Sequence, residues 1–546
     1  MAEPTIQLGG GNWAGKTDNL LGYYKEGERF YKQEFTFNRS TTGTYTDKEG
    51  YIQEMPYNLL QQSNQFDTTW TTQDANVTSN EVGYDGSKDA WLFSWTSSTA
   101  FLYQSISLKA SKNTISIYAK QGTSSNLRLD FVTAGFSKGA SCTFDLSNGT
   151  AGSVVQYGSS TDFTAAIDSV GSGWYRISLS GTTTATTWYH ELALTSGSVY
   201  FQNAQLVKGT SAKTYFPTTT RLNMPRVDYL NNSNGSLILE PQSTNTVTYS
   251  EDFSQWSQAS APTLTSGQLA PDGTLGATKI SGTIGSSYIY LSSTTSTTAT
   301  RSIYARTVSG TGTAKLMSHN SNTNNLFTLT EEWQRFKLTT ANSSGGTNFY
   351  VDLRDSSQTL NEFVIWGAQS EALSYLTSYI PSNSGSSVTR NADSCSISNV
   401  ADRIGQTEGT MFFEIDFANT SGIAGAWSIS NGSTANRITM NTTNLSSTQF
   451  TLSVAQNYNS GSTKLASANV SFSDKHKVAI KYSGTTLKLF VDGQLADSVS
   501  TDGFGNYTNF YVGGNQTGVG GDARNFIQAD LYNTALTDQE LIALTS

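Results

Sequence analysis

The sequence is short of the residues from which reactive centres are built. Its 546 residues hold two cysteines, three histidines and eight prolines. Cys142 and Cys395 stand far apart, so there is no disulfide framework and no Cys-x-x-Cys metal spacing. His190, His319 and His476 are isolated from one another, which leaves no paired histidines for a zinc site. Charged residues make up only 14% of the chain, against about a quarter in an ordinary soluble domain. The 42 acidic and 33 basic residues give a net charge of −9 with no basic block, which speaks against a nucleic-acid backbone as partner. No apolar run approaches the roughly 20 residues of a membrane-spanning helix. Met1 to Leu8 carries neither a basic nor an apolar signal region, so the expected route out of the cell is not a secretory signal. The glycine-rich stretches GGGNWAGK at Gly9 and GGNQTGVGG at Gly513 read as tether and loop, because a phosphate loop must open a helix after a strand.

Serine, threonine, asparagine and glycine take the place of charge. They disfavour helix interiors and favour turns and strand surfaces, which points to an all-β chain of short strands. Its length suggests several modules rather than one core. An internal repeat supports this. Asn58, Ser63, Phe66 and Trp70 recur as Asn245, Ser250, Phe253 and Trp256; Asp85-Gly86 recurs as Asp272-Gly273, and ISIYAK to Lys120 as RSIYAR to Arg306. GWYRISL from Gly173 answers EWQRFKL from Glu332, Ala204-Gln205 answers Ala368-Gln369, and Tyr215-Phe-Pro217 answers Tyr379-Ile-Pro381. SIYAK alternates with the period of two of a half-buried strand. The Ser/Thr stretch Leu291 to Thr300 reads equally as strand or as exposed loop.

These landmarks resemble the jelly-roll carbohydrate-binding modules attached to many glycoside hydrolases. A second pattern surrounds them. FNRSTTGTYTDKEGYIQE from Phe37, PRVDYLNNSNGSLILEPQSTN from Pro225 and VTRNADSC from Val388 resemble a linker of bacteriophage structural proteins, with the first repeat inserted between its halves. From Arg403 onward, GTMFFEIDF, the KHKVAIKYSGTTLKLFVDGQL hairpin and DLYNTALTDQE resemble the concanavalin A-like or laminin G-like lectin sandwich. Thr537 and Glu540 have the spacing of a capping box for one short terminal helix.

The expected fold is therefore all-β, with tandem β-sandwich or jelly-roll modules and a C-terminal concanavalin A-like sandwich. The expected organisation is an N-terminal attachment segment and linker (1–57), module 1 (58–217), a linker (218–244), module 2 (245–392) and a lectin-like module (403–546). Glu414 and Asp416 share one face of a strand, but lack the third acid of a glucanase cluster, so no catalytic residue is assigned. Aromatic residues reach 12%, and sugar-stacking candidates are Trp91, Trp95, Trp188 and Tyr189 in module 1, Trp366 in module 2, and Trp427, Tyr458 and Tyr507 in the lectin-like module. Trp70, Trp174, Trp256 and Trp333, being landmarks of the repeat, are assigned to cores. No cofactor is required; the resemblance admits a structural calcium ion, with Asp85, Asp252, Asp272 and Asp522 as candidates in turns. The resemblances imply a non-catalytic virion component of the tail-fibre, head-fibre or decoration class. It would be a homo-oligomer, a trimer favoured by analogy, docking on other virion proteins through Tyr23, Tyr24, Phe30 and Tyr31 and presenting the lectin-like end to host-surface glycans. The alternatives are a polysaccharide depolymerase or glucanase, and capsid decoration without a ligand.

Overall fold

The computed structural model describes residues 2–10, 14–16, 19–26, 29–55, 58–108, 111–184, 186–219, 224–292, 299–318, 326–339, 348–416, 424–444, 449–471, 475–514 and 524–546. Among them every long element is a strand except one terminal helix, Asp538–Thr545. The expected capping box closes that helix: Thr537 accepts from the Glu540 amide, and Glu540 accepts from the Thr537 amide at 2.9 Å. The chain divides into two compact units, one formed by Met1–Met55, Leu222–Leu264 and Ile280–Ser546, the other by Pro56–Arg221 and Thr265–Lys279.

The second unit holds the jelly roll of module 1. One sheet runs in the order Thr150–Ala151, Gly139–Asp145, Asn126–Val132, Thr186–Leu194, Ala100–Leu108, Thr71–Gln73; the other runs Thr164–Gly171, Trp174–Thr183, Ser111–Gln121, Ser198–Lys208, Ala90–Trp95, Ala75–Glu81. Their inner faces bury Phe66, Phe93, Ile117, Leu129, Phe131, Trp188 and Phe201.

In the first unit, module 2 repeats this plan. Its sheet Ser257–Ala259, Tyr288–Ser292, Asn348–Asp352, Gly312–Ser318, Leu326–Leu329 follows the order of five strands of the first sheet of module 1, from Thr71–Gln73 to Gly139–Asp145. The landmarks of the repeat prove to be structural. Asn58 Nδ2 donates to the carbonyls of Ala204 and Phe216 at 3.1 and 2.9 Å, and Asn245 Nδ2 to those of Ala368 and Ile380 at 3.2 and 2.9 Å. Ser63 and Tyr215 share a hydrogen bond of 2.8 Å, as do Ser250 and Tyr379. Arg176 Nη2 donates to Ser116 Oγ, and Arg335 Nη2 to Ser302 Oγ, each at 3.1 Å. The register even shifts at the same place, between Ser116 and Tyr118 in one module and Ser302 and Tyr304 in the other. Buried polar groups must find partners, so a motif built from Asn, Ser, Tyr and Arg recurs because the same buried backbone atoms recur.

The rest of the first unit is the C-terminal sandwich, and it includes the N-terminal residues. Ile6–Gly9 pairs antiparallel with the last strand, Ile6 opposite Leu531 and Gly9 opposite Gln528. Asn19–Glu26 and Arg29–Asn38 form a hairpin, and the latter continues into Ser394–Ile397 of the opposite sheet. Ile6, Leu8, Phe35 and Phe37 lie in one core with Phe413, Trp427, Tyr507 and Phe510. These strands stand within the expected N-terminal attachment segment, and Ala14–Lys16 is a strand where a tether was expected. The alternation is present in Ile6-Gln-Leu8 and Phe35-Thr-Phe37, whose apolar members are fully buried. Gly10 to Thr17 does have the Gly-x4-Gly-Lys-Thr spacing of a phosphate loop, but Ala14–Lys16 is a strand paired with Asn19–Leu21, so no helix opens there. The SGTT hairpin forms as expected between Lys475–Ser483 and Thr486–Val491, with Gly484 at φ 61°.

The linker motif meets in a buried ion cluster. Asp393 Oδ1 accepts from Arg39 at 2.9 Å; its Oδ2 accepts from Arg226 at 2.6 Å and from the Glu240 amide at 2.9 Å. Glu240 accepts from Arg226 at 2.9 Å and from the Ser378 amide and hydroxyl at 2.6 Å each, and Arg390 lies 3.4 Å away. Burial alone would raise the Glu240 carboxyl, but the Arg390 and Arg226 charges and the Ser378 bonds hold it at about 2.

Candidate functional site

The side chains expected to stack on sugars divide sharply. Trp91, Trp188, Trp366, Trp427 and Tyr507 are buried in cores, which corrects their assignment as platforms. Trp188 and His190 point inward from their strand, Trp427 stacks on Phe413 at 4.8 Å, and Trp366 packs against Tyr379 at 4.6 Å. The large apolar ring outweighed its neighbours' polarity in each case. Trp95 is exposed and donates to the Ser98 carbonyl at 2.6 Å, within its own turn. Tyr458 is half-buried against Gly503, where a Cβ would lie 2.9 Å from the ring. Tyr189 alone lies on the outer face of a sheet among other candidate ligand-facing groups. Of the core assignments, Trp70, Trp174 and Trp256 are buried, while Trp333 is half-buried beneath the Arg306 guanidinium at 5.4 Å. The side chains of Tyr23, Tyr24 and Phe30 lie outside the described ones; Tyr31 is exposed opposite Tyr24.

Asp85, Asp252 and Asp272 accept from the backbone amides two residues on, at 3.1, 3.2 and 2.9 Å, which is turn chemistry, and Asp272 also pairs with Lys208 at 3.2 Å. Asp522 and His319 lie outside the described residues. Among the described residues no three His, Cys, Asp or Glu side chains converge.

What sequence reading missed is the outer face of the sheet containing Ala100–Leu108. Strand alternation sends Leu102 inward and Phe101, Tyr103, Ser105 and Ser107 outward. Cross-strand register then builds three rungs: Phe101–Ala193–Arg128, Tyr103–Glu191–Asp130 and Ser105–Tyr189–Val132. The Tyr103 and Tyr189 rings meet edge to face at 5.6 Å. Beside them an open groove of about 370 Å³ is lined by Gln61, Thr69, Thr71, Tyr103, Ser105 and Ser107 among others.

Arg128 grips Asp130 with Nε at 2.9 Å and Nη2 at 2.8 Å, and it sits 5.8 Å from the Phe101 ring. Glu191, 9% exposed, is hydrogen-bonded to Asp130, while its Oε1 has no hydrogen-bond partner. Burial, with the Asp130 charge second, pushes the Glu191 carboxyl up to about 8, well above the usual carboxylate range. The folded chain then binds a proton that the unfolded chain has lost, and stability must fall as pH rises from about 4.5 to about 8. Glu191→Gln is expected to flatten that slope, read as hydrogen-exchange protection of Thr186–Leu194 against pH. An unchanged slope would show that Glu191 is ionised in the fold.

Module 2 carries a related face. Landmark Trp70 precedes Thr71, which pairs with Tyr103; landmark Trp256 precedes Ser257, which pairs with Tyr290. Phe101 and Tyr103 therefore correspond to Tyr288 and Tyr290, and Arg128 to Lys315, which is paired with Asp352. Where module 1 has Glu191, module 2 has Tyr350. Tyr290 and Tyr350 stack at 5.3 Å, and the Arg354 guanidinium lies 4.0 Å from the Tyr288 centroid and 4.7 Å from that of Tyr350. Asp352 holds it in a bidentate bond of 2.8 and 2.6 Å.

No protein-family model matches the chain, and no curated protein matches it. Solved structures similar to part of it include the Ruminococcus gnavus IT-sialidase CBM40 bound to alpha2,3 sialyllactose, 20% identical, covering 26% of this chain and 84% of that chain, with a TM-score of 0.23. A NanB sialidase from Streptococcus pneumoniae is 15% identical, covering 28% and 26%, with a TM-score of 0.23. A heptameric SAP-like pentraxin from Limulus polyphemus is 12% identical, covering 26% and 73%, with a TM-score of 0.22.

Proposed function

We propose that this chain is a non-catalytic glycan-binding protein whose two jelly-roll modules present their outer sheet faces to sugar. The observation that carries the reading is the recurrence of an outward aromatic pair, Phe101 and Tyr103 in one module and Tyr288 and Tyr290 in the other, at equivalent places beside a basic residue. Core packing does not demand outward rings at those positions, whereas a sugar's apolar face stacks on them and its hydroxyls meet the neighbouring polar groups. A hydrolytic reading is disfavoured by chemistry. Glycoside hydrolysis separates its two carboxyl groups by about 5–9.5 Å to admit the scissile bond, whereas Asp130 and Glu191 are hydrogen-bonded to each other.

The setting we propose is a bacteriophage particle, as a fibre or decoration protein assembled with other virion proteins as a homo-oligomer. Support comes from the linker-like residues Arg39, Arg226, Glu240, Arg390 and Asp393, which act together as one joint. Recognition moves from the C-terminal module, where Trp427 and Tyr507 are core residues, to modules 1 and 2. Several weak sites on one particle would act through avidity.

A glycan array probed with the full chain tests the binding reading. Tyr103→Ala and Tyr290→Ala are each expected to weaken separate sets of glycans by about tenfold or more, equivalent to about 1.4 kcal/mol. Release of reducing sugar from bound glycans would defeat the non-catalytic claim, and purified particles lacking the chain would defeat the virion claim.

A further inference from the structure

We infer that module 1 takes an extended linear glycan rather than a single terminal sugar, with one ring at Tyr103 and Tyr189 and the following rings in the groove along Ser105 and Ser107. This rests on the glycan-binding reading and adds the ligand class. The groove exists because one strand is short. Ala100–Leu108 pairs with Thr186–Leu194 over all nine of its residues, but on its other side Thr71–Gln73 covers only Phe101 to Tyr103. Among the described residues the edge from Ser105 to Leu108 therefore has no ladder partner on that side, and the groove of about 370 Å³ opens beside it. That volume falls within the range of sites that hold small ligands, about 300–1,000 Å³.

Its wall is fixed in advance. Gln104 Oε1 accepts from the Gln61 amide at 2.8 Å, and its Nε2 donates to the Gln61 carbonyl at 2.9 Å and to Thr69 Oγ1 at 3.1 Å. Those bonds hold the lining before a ligand arrives, so binding has little left to order. Gln61, Thr69, Thr71, Ser105 and Ser107 are exposed, so their polar groups are within reach of sugar hydroxyls. Outward residues recur at every second position, so Tyr103, Ser105 and Ser107 line up over about 13 Å at about 3.3 Å per residue, longer than one pyranose ring. Past the Tyr103 ring the outward side chains of that strand are small, which leaves the groove open to the next sugar units. Among the described residues no charged side chain lines it. Its contacts are therefore neutral hydrogen bonds and ring faces, each worth little alone, and affinity must accumulate along the chain. An extended peptide also fits a free strand edge, but the tyrosine pair in line with the groove favours a glycan.

The test is titration calorimetry of the full chain with soluble oligosaccharides of the class picked out by Tyr103→Ala, from the disaccharide upward. Affinity is expected to rise about tenfold or more with chain length before it levels off. Ser107→Ile puts a β-branched residue at an exposed strand position, which suits the sheet and fills the groove. It should bring long chains down to the affinity of short ones and leave the shortest unchanged. Ser107→Thr, which keeps the hydroxyl and adds one methyl, should bind within about threefold of the parent. Tyr290-dependent glycans should ignore both variants, with hydrogen exchange of Thr186–Leu194 showing module 1 folded. Affinity already complete in the shortest oligosaccharide, or long chains that ignore Ser107→Ile, overturns this inference and leaves the glycan-binding reading standing, with the free edge left to an added peptide strand. The absence of any Tyr103-dependent glycan overturns both. Should Ser107→Ile unfold module 1, the length series on the parent chain decides alone.

Discussion

Asp393→Ala is expected to destabilise the unit that contains the C-terminal sandwich by about 3–5 kcal/mol, the range for breaking a buried ion pair. The carboxylate is fully buried and takes hydrogen bonds from Arg39, Arg226 and the Glu240 amide. Without it three buried guanidinium groups share one acid, Glu240. Burial already draws Arg39 down to about 10 with Asp393 in place. Denaturant unfolding of the full chain reads the effect, and a loss below about 1 kcal/mol would show that water enters and solvates the cluster. The same cluster sets an acid limit. Glu240 is held at about 2, below its unfolded value, so its contribution is complete above about pH 4.5 and is lost as pH falls toward 2.

Deleting residues 2–38 is expected to abolish cooperative folding of the C-terminal sandwich, and the fragment from Arg403 to Ser546 should fail for the same reason. Ile6, Leu8, Phe35 and Phe37 are each fully buried in its core. At about 1.5–3 kcal/mol per buried side chain, their loss rivals the roughly 5–15 kcal/mol by which a domain is stable at all. Deletion also strips one of the two strand partners from Gln528–Leu531, leaving Met411–Glu414 on the other side. A cooperative thermal transition with native near-ultraviolet dichroism in the fragment would refute this. Host-binding assays on such fragments would otherwise report misfolding rather than recognition.

The sequence disclosed the repeat because its markers are polar residues with obligatory buried partners, such as Asn58 and Asn245, Ser63 and Ser250, Arg176 and Arg335. It disclosed the terminal helix because Thr537 and Glu540 satisfy each other locally. The site stayed hidden for a different reason. Facing inward or outward depends on register, and Trp188 and Tyr189 are adjacent residues sent to opposite faces. Reading alternation through AFLYQSISL and YIYLS would have paired Phe101 with Tyr103 and Tyr288 with Tyr290, but not brought Glu191 to Asp130, which needs the order of strands. The N-terminal strands were missed because Gly9, Gly10 and the polar residues between Leu8 and Phe35 mask two short alternations.

The pairing of the first strand with the last has a consequence for synthesis. Ile6 and Leu531 are neighbours in space but 525 residues apart in sequence (531 less 6). At about 5–20 residues per second on the ribosome, the N-terminal strand, which pairs early with Tyr23 and Tyr24, waits roughly half a minute to two minutes for this second partner. During that interval module 1, whose strands are contiguous, has every partner it needs to fold. The apolar residues Ile6, Leu8, Phe35 and Phe37 meanwhile stand without their core. A nascent chain of this design calls for a chaperone that holds its beginning until its end emerges, and translational pausing late in the message would prolong that dependence.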